Sequence, residues 1–220
     1  MLERPAAAAS LRVAEIFHSL QGESTRVGLP TVFVRLTGCP LRCRWCDSTY
    51  AFAGGEGLDI ATIVDRVRAF DCPTVCVTGG EPLAQRGCLP LLSALCDAGF
   101  SVSLETSGAL DIGEVDARVS RVMDLKAPAS GEAARNRWQI LYLLTHRDEV
   151  KIVLASEADY LWAKQVLREK QPQRRCEVLL SPAAGLLEAR ALAEWMLRDR
   201  LPVRFQWQLH KLLWGDERGR

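Results

Sequence analysis

The sequence predicts one α/β domain built around a parallel sheet, on three observations. Short, near-continuous apolar runs recur along the chain, separated by helical patterns or turn-rich stretches. The chemically unusual residues fall directly after those runs. Three cysteines, Cys39, Cys43 and Cys46, crowd into eight positions after the first long run. Strands buried on both faces of a parallel sheet read as continuous apolar segments, and alternating strands and helices generate parallel βα units. With 220 residues, 48% of them hydrophobic and 25% charged, the chain is long enough for one sizeable core.

The runs are TVFVRLTG (31–38), TVCVTGG (74–80), FSVSLETSG (100–108), RVMDLKAP (121–128), EVKIVLAS (149–156), CEVLLSP (176–182) and VRFQWQLH (203–210). The spacing predicts a helix over 59–70, where Ile60, Ile63, Val64 and Val67 share a face behind Asp59 as N-cap. Another is expected over 89–99, closed by Gly99. Further helices are expected over 133–145, 156–170 and 186–200. Residues 1–10 and 215–220 read as flexible tails on a single domain spanning 11–214.

After the first run come the cysteines, after the second TGGEP; ETSG closes the third, DLKAP the fourth, SPAAG the sixth and QLHK the last. The carboxyl edge of a parallel sheet is where active sites assemble, so these segments are predicted to converge on one pocket. A net charge of +1 gives no electrostatic reason to expect nucleic acid or a membrane as partner. No apolar run approaches the roughly 20 residues that cross a bilayer. The opening MLERPAAAAS lacks the long apolar core of a signal peptide, so a cytoplasmic protein is expected. Thiols stay reduced there, and a tight cysteine cluster then suggests metal or redox work.

A C-x3-C-x2-C spacing lets three thiolates point inward from one loop. Thiolates suit zinc and iron-sulfur clusters, both of which take four donors. Three cysteines fill three corners of a [4Fe-4S] cubane and leave one iron open for a substrate or cofactor. A structural zinc would need a fourth ligand such as His18 or Cys72, and the sequence has no second C-x2-C pair. Cys72, Cys76, Cys88, Cys96 and Cys176 read instead as small buried hydrophobes. In VTGGEP, Gly79 and Gly80 let backbone groups approach a ligand and Glu81 adds an acceptor, although the segment taken alone also fits a tight turn.

CPLRCRWC and GGEP together resemble the radical S-adenosylmethionine (SAM) superfamily. EIFHSLQGES (15–24), FVRLTGCPLRCRWCDST (33–49), VTGGEPL, LETSG and QLHK, spread over nearly the whole chain, resemble the 7-carboxy-7-deazaguanine synthases within it. The resemblance implies a trimmed, partial parallel (β/α)6-type barrel and a homodimer. It implies a [4Fe-4S] cluster on Cys39, Cys43 and Cys46, whose fourth iron is chelated by SAM, and reduction by an electron donor such as flavodoxin. Cleavage of SAM to a 5'-deoxyadenosyl radical would contract the ring of 6-carboxy-5,6,7,8-tetrahydropterin to 7-carboxy-7-deazaguanine with loss of ammonia, regenerating SAM, in the 7-deazapurine (queuosine) pathway.

Residue roles follow from the same likeness. The backbone of TGGEP, from Thr78 through Gly79, Gly80 and Glu81 to Pro82, would hold the amino end of SAM, with Asp47, Glu105 and Ser107 on its ribose or amino acid and Lys126 on its carboxylate. Glu23, with Leu20, Gln21 and Gly22, would read the pterin's N–H donors. Alternation in FVRL points Arg35 away from its apolar neighbours, where its guanidinium can grip the substrate carboxylate; Thr78 and His210 join it by position. In the family a hydroxyl two residues after the third cysteine coordinates Mg²⁺ with the substrate, which selects Ser48, with Thr49 as competitor. Ser24 stands where the family commonly has glycine, which puts the local turn in question. The alternatives are a glycyl-radical enzyme activase, which needs a large protein partner, and a non-catalytic zinc-binding interaction module.

Overall fold

Alternation along the strands sends aliphatic side chains to one face of a sheet and polar ones to the other, and this asymmetry shapes the molecule. The computed structural model describes residues 10–220. Its strands are β1 (Ser10–Leu20), β2 (Pro30–Leu36), β3 (Glu56–Asp59), β4 (Thr74–Gly79), β5 (Ser101–Thr106), β6 (Ser120–Asp124), β7 (Glu149–Leu154), β8 (Glu177–Pro182) and β9 (Arg204–Phe205). They form one sheet in the order β3-β1-β2-β4-β5-β6-β7-β8-β9. β1 runs antiparallel to β2 and β3, and every pairing from β2 to β9 is parallel. The two ends of the sheet do not meet, so the barrel is partial and open.

The outer face of the sheet carries Val32, Val34 and Leu36 of β2, Val75 and Val77 of β4, Val102 and Leu104 of β5, and Val150, Ile152 and Leu154 of β7. Against it pack α1 (Ile60–Arg68), α2 (Cys88–Asp97), α3 (Glu157–Glu169) and α4 (Ala189–Asp199), through Ile63, Leu91, Tyr160 and Leu192 among others. Each aliphatic side chain fully buried here contributes ~1.5–3 kcal/mol. The inner face alternates with this one and holds Arg35, Thr78, Glu105, Asp124 and Lys151 around a cavity. The central strands are buried on both faces as expected, but the inner face is largely polar. Phe33, Val122 and Val153 also point inward, which is why the runs read as continuous in sequence.

Asp59 caps α1 by accepting from Thr62 N at 2.7 Å, Ser156 caps α3, and Gly99 follows α2 with φ +90°. No α-helix forms over 133–145; that crossover runs through short 3-10 helices at Pro128–Ser130, Ala133–Arg135 and Trp138–Leu143. Asn136 is the cause. Its side chain accepts from Lys126 N and donates to Lys126 O, both at 2.9 Å, holding the segment against the end of β6 in an extended conformation.

The last expected strand also shrinks, to Arg204–Phe205, and QLHK lies at the start of α5 (Leu209–Trp214) rather than at a strand end. There the chain leaves the sheet because Leu209 N donates to Gly22 O at 2.9 Å. β1 and β3 were not legible as strands, since the register of β1 shifts between Val13 and Glu15 and spoils its alternation. Residues 1–9 of the expected N-terminal tail lie outside the described residues, and Ser10 opens β1. Among the described residues no helix is long and apolar enough to cross a membrane.

Gly79 closes β4 with φ +155°, and a Cβ there would stand 2.1 Å from the carbonyl oxygen of Leu36 on β2. Gly79→Ala must open the β2–β4 pairing as well as bear the ~1–3 kcal/mol of a sparsely populated backbone conformation. Its unfolding midpoint in denaturant should fall by more than that strain alone accounts for. An unchanged midpoint would contradict this packing.

Candidate active site

The loop after β2 holds the three cysteines in place through its backbone. Gly38 N donates to Ala51 O at 2.8 Å, Arg44 N to Ser130 O at 3.1 Å, and Arg42 N to Glu132 Oε1 at 2.6 Å. Arg42 also donates from its guanidinium to Cys39 O at 2.8 Å and Leu41 O at 2.6 Å. Cys39, Cys43 and Cys46 are free, partly exposed thiols that line one cavity of about 860 Å³. Burial pushes the Cys39 and Cys43 thiols up, while the Lys126 ammonium favours the thiolate at both.

GGEP packs directly on that loop. Glu81 N donates to Gly38 O at 2.8 Å, and a side chain at Gly80 would collide with Gly38 O at 2.4 Å and Cys39 Cβ at 2.7 Å. The glycine pair is thus required by backbone-to-backbone contact between two motifs forty residues apart in the chain. Gly79 and Gly80 line the cavity, but Glu81 does not. Its fully buried carboxylate accepts from Leu83 N at 3.1 Å, Thr106 Oγ1 at 3.0 Å, Ser107 N at 2.7 Å and Ser107 Oγ at 2.5 Å. Glu81 clamps the ends of β4 and β5 together instead of presenting an acceptor to a ligand.

The LQGE segment reaches the cavity from the opposite edge of the sheet. Residues 21–29 connect β1 to the amino end of β2 and close on themselves, with Gln21 N bonded to Leu29 O and Gly28 N to Gln21 O, both at 2.8 Å. From there the loop crosses to β7, where Thr25 N donates to Glu149 Oε2 at 2.9 Å. Ser24 takes the left-handed conformation, φ +68°, that glycine would take. Its Oγ accepts from Arg26 N at 3.1 Å and its carbonyl from Gln206 Nε2 at 3.1 Å, so the turn survives the serine. His210 packs its ring against Gly22, and its Nε2 lies 3.9 Å from Asp47 Oδ2.

Charged side chains fill the inner face. Glu23, only 7% exposed, touches Lys151 Nζ through Oε2 and accepts from Gln208 Nε2 at 2.7 Å through Oε1. Lys151 and Asp124 are cross-strand neighbours on β7 and β6, 3.4 Å apart, and Asp124 Oδ2 is also 3.0 Å from Lys126. Desolvation would lower the pKa of Lys151, but Glu23 and then Asp124 outweigh it and hold the ammonium charged. Burial likewise opposes ionisation of Asp124 and is outweighed by Lys126 and Lys151. Thr78 Oγ1 donates to Glu105 Oε2 at 2.9 Å, and Arg35 Nε to Glu15 Oε1 at 2.7 Å, an oxygen that also accepts from Tyr50 OH at 2.6 Å.

Apart from Glu81 and Pro82, every residue that the resemblance assigns to the cluster, SAM, Mg²⁺ or the substrate lines one cavity: Leu20, Gln21, Gly22, Glu23, Arg35, the three cysteines, Asp47, Ser48, Thr78, Gly79, Gly80, Glu105, Ser107, Lys126 and His210. Thr49 lines it too. Sequence reasoning missed Lys151, Asp124 and Gln208, although Glu149, Lys151 and Val153 alternate with Val150, Ile152 and Leu154 and so announced a polar face. Residues 215–220 also line the cavity, where Arg218 stacks on Tyr50 at 4.1 Å.

The donor set fits a cluster better than a single ion. Among the described residues no three His, Cys, Asp or Glu side chains converge on one point as a lone metal ion requires. A cubane takes each thiolate on a different iron, so three separated thiols on one loop suit it. Ser48 Oγ lies 3.1 Å from Asp47 Oδ1, a hydroxyl and carboxylate of the kind a hard cation such as Mg²⁺ accepts.

Residues 33–126 match the model of the radical SAM superfamily. The chain is 52% identical over 215 residues to a 7-carboxy-7-deazaguanine synthase of Chlorobaculum tepidum, covering 96% of this chain and 98% of that one. It is 39% identical over 223 residues to the enzyme of that name from Koribacter versatilis, covering 94% and 98%. The crystal structure of QueE from Escherichia coli shares the fold, with a TM-score of 0.75 at 24% identity over 91% of this chain and 95% of that one. With the cysteine loop seated on the glycine pair at the mouth of a polar, partly closed barrel, the chain belongs to the 7-carboxy-7-deazaguanine synthases of the radical SAM superfamily.

Proposed function

We propose that this chain contracts 6-carboxy-5,6,7,8-tetrahydropterin to 7-carboxy-7-deazaguanine with release of ammonia, in 7-deazapurine (queuosine) biosynthesis. The observation that carries the reading is that one cavity is lined both by the three cluster thiols and by a carboxylate, Glu23, fixed to receive N–H donors. Loss of ammonia accounts for the whole difference in composition between substrate and product, so no external oxidant is needed.

When bound, a [4Fe-4S] cluster and SAM supply the one-electron chemistry that protein side chains lack. Cys39, Cys43 and Cys46 would hold the cluster. The backbone of Thr78, Gly79 and Gly80, with Asp47, Glu105, Ser107 and Lys126, would hold SAM, and Glu81 supports them from behind by fixing Ser107. Glu23, with Leu20, Gln21 and Gly22, orients the pterin through its N–H edge. Arg35, whose Nε is already bonded to Glu15, is left to meet the substrate carboxylate with its terminal nitrogens, beside Thr78 and His210. Ser48 serves Mg²⁺. Phe17 and Phe33, stacked at 5.0 Å, wall the cavity together with Tyr50 and keep water from the reacting atoms.

Eight free thiols suit a reducing, cytoplasmic setting. A homodimer and reduction by a small one-electron carrier such as flavodoxin complete the reading, on the strength of the family likeness. The zinc module is disfavoured because the cysteines do not converge on one point among the described residues. The glycyl-radical activase is disfavoured by family membership.

The protein reconstituted anaerobically with iron and sulfide, given 6-carboxy-5,6,7,8-tetrahydropterin, SAM, Mg²⁺ and a reductant, should yield 7-carboxy-7-deazaguanine by mass spectrometry, dependent on SAM without matching SAM consumption. Cleavage of SAM with the pterin untouched would reject the substrate. Cys43→Ala should lose the brown colour's response to SAM and all turnover; retained activity would remove Cys43 from the mechanism. Glu23→Gln should raise KM for the pterin by about tenfold while iron and sulfide content stay at the wild-type level. An unchanged KM would place the pterin elsewhere.

A further inference from the structure

We infer that Lys151 and Gln208 are positioning residues that brace Glu23, making its carboxylate selective for a neutral ligand edge with two adjacent N–H donors. The inference rests on the pterin reading of the cavity and goes further, assigning the selectivity to two residues outside the recognised motifs. Glu23 is 7% exposed and cannot stand in the cavity wall without partners. It receives one donor on each oxygen: Lys151 Nζ on Oε2, and Gln208 Nε2 on Oε1 at 2.7 Å. An ionised carboxylate offers about four lone-pair sites. Two therefore remain, one on each oxygen, and Glu23 lines the cavity. The brace sets the plane in which they are offered.

The two donors come from independent parts of the fold. Lys151 projects from the middle of β7, and its cross-strand neighbour Asp124 holds it from the side at 3.4 Å. Gln208 comes from the chain that leaves β9, next to Leu209, whose N–H bonds Gly22 O at 2.9 Å. Rotation of the Glu23 carboxylate would break both contacts at once.

Charge decides what kind of donor edge is chosen. Glu23, Lys151, Asp124 and Lys126 form a row of alternating sign, two negative and two positive. A lone buried carboxylate would favour a cationic ligand, or take up a proton. With its charge already matched by the Lys151 ammonium, the Glu23 carboxylate is suited to accept from a neutral amide and amine, the edge that a 2-amino-4-oxopyrimidine ring presents.

The test uses two non-reacting probes on the reconstituted protein, 6-carboxypterin and 6-carboxylumazine, in which an oxo group replaces the 2-amino group. Wild type should bind the pterin at least about tenfold more tightly than the lumazine, because the oxo group turns a donor into an acceptor facing Glu23. Lys151→Met should lose about tenfold in affinity for 6-carboxypterin and most of this discrimination, since a Glu23 carboxylate held by one donor alone is free to rotate out of the plane that matches two adjacent N–H groups. Lys151→Arg should keep the discrimination. In the Glu23→Gln background Lys151→Met should cost no further affinity, because Lys151 acts through Glu23.

Should Lys151→Met not fold, Gln208→Leu, which strands no buried charge, should weaken 6-carboxypterin binding in the same direction with unchanged iron and sulfide content. Full affinity and discrimination in Lys151→Met, or in Gln208→Leu, overturns the inference, as does an undiminished Lys151→Met loss on top of Glu23→Gln. If wild type binds neither probe and makes no 7-carboxy-7-deazaguanine, the pterin reading itself has failed. If it makes product while the Lys151 and Gln208 variants bind normally, only the brace has failed.

Discussion

The structure depends on one contact: the loop 21–29 closing across the open sheet onto β7. Without it the inner face, carrying Arg35, Glu105, Asp124 and Lys151, would face solvent along a half-barrel. The loop reaches across at Thr25 to Glu149 and at Glu23 to Lys151, and is held from below by Gln206 and Leu209. The open half-barrel is thereby walled on one side by a loop, without further strands. A buried ion pair such as Glu23–Lys151 gains little net stability, because the desolvation of both charges offsets their attraction. Its value lies in geometry, fixing where an acceptor points.

Stability and chemistry are placed on opposite faces of the same strands. The outer face packs aliphatic residues against the helices, and its burial supplies the folding free energy. The inner face carries charges that would be costly singly and are tolerated because they alternate in sign and share hydrogen bonds. Glu81 shows the same economy at the sheet edge. A residue that reads as a ligand contact is instead saturated by Thr106, Ser107 and Leu83, and the loop it holds is what meets the cavity.

Much of the site was legible because its signals are local. Three cysteines in eight positions, two adjacent glycines after a strand and the SLQGE segment declare themselves within short windows. Lys151, Asp124 and Gln208 did not, since the contacts that bring them to Glu23 and to one another join residues more than twenty positions apart in sequence. The parallel strands and capped helices followed from apolar period and cap residues. The failures have physical causes: a bulge in β1 broke its alternation, Asn136 pinned a helical-looking segment to β6, and the bond from Leu209 to Gly22 drew the last strand out of the sheet. Ser24 held a glycine-like turn because a side-chain bond and a carbonyl bond fix it there.

The claim on which the rest stands is that a single pteridine lies between Glu23 and Arg35 with its reacting carbon turned toward the cysteine loop. An anaerobic crystal structure of the reconstituted protein with SAM and 6-carboxypterin tests it directly. The account requires the ring's N–H edge on the two oxygens of Glu23, with Lys151 still on Oε2, and the ligand carboxylate at Arg35. A pteridine bound in the reverse orientation, or outside this cavity, would contradict it.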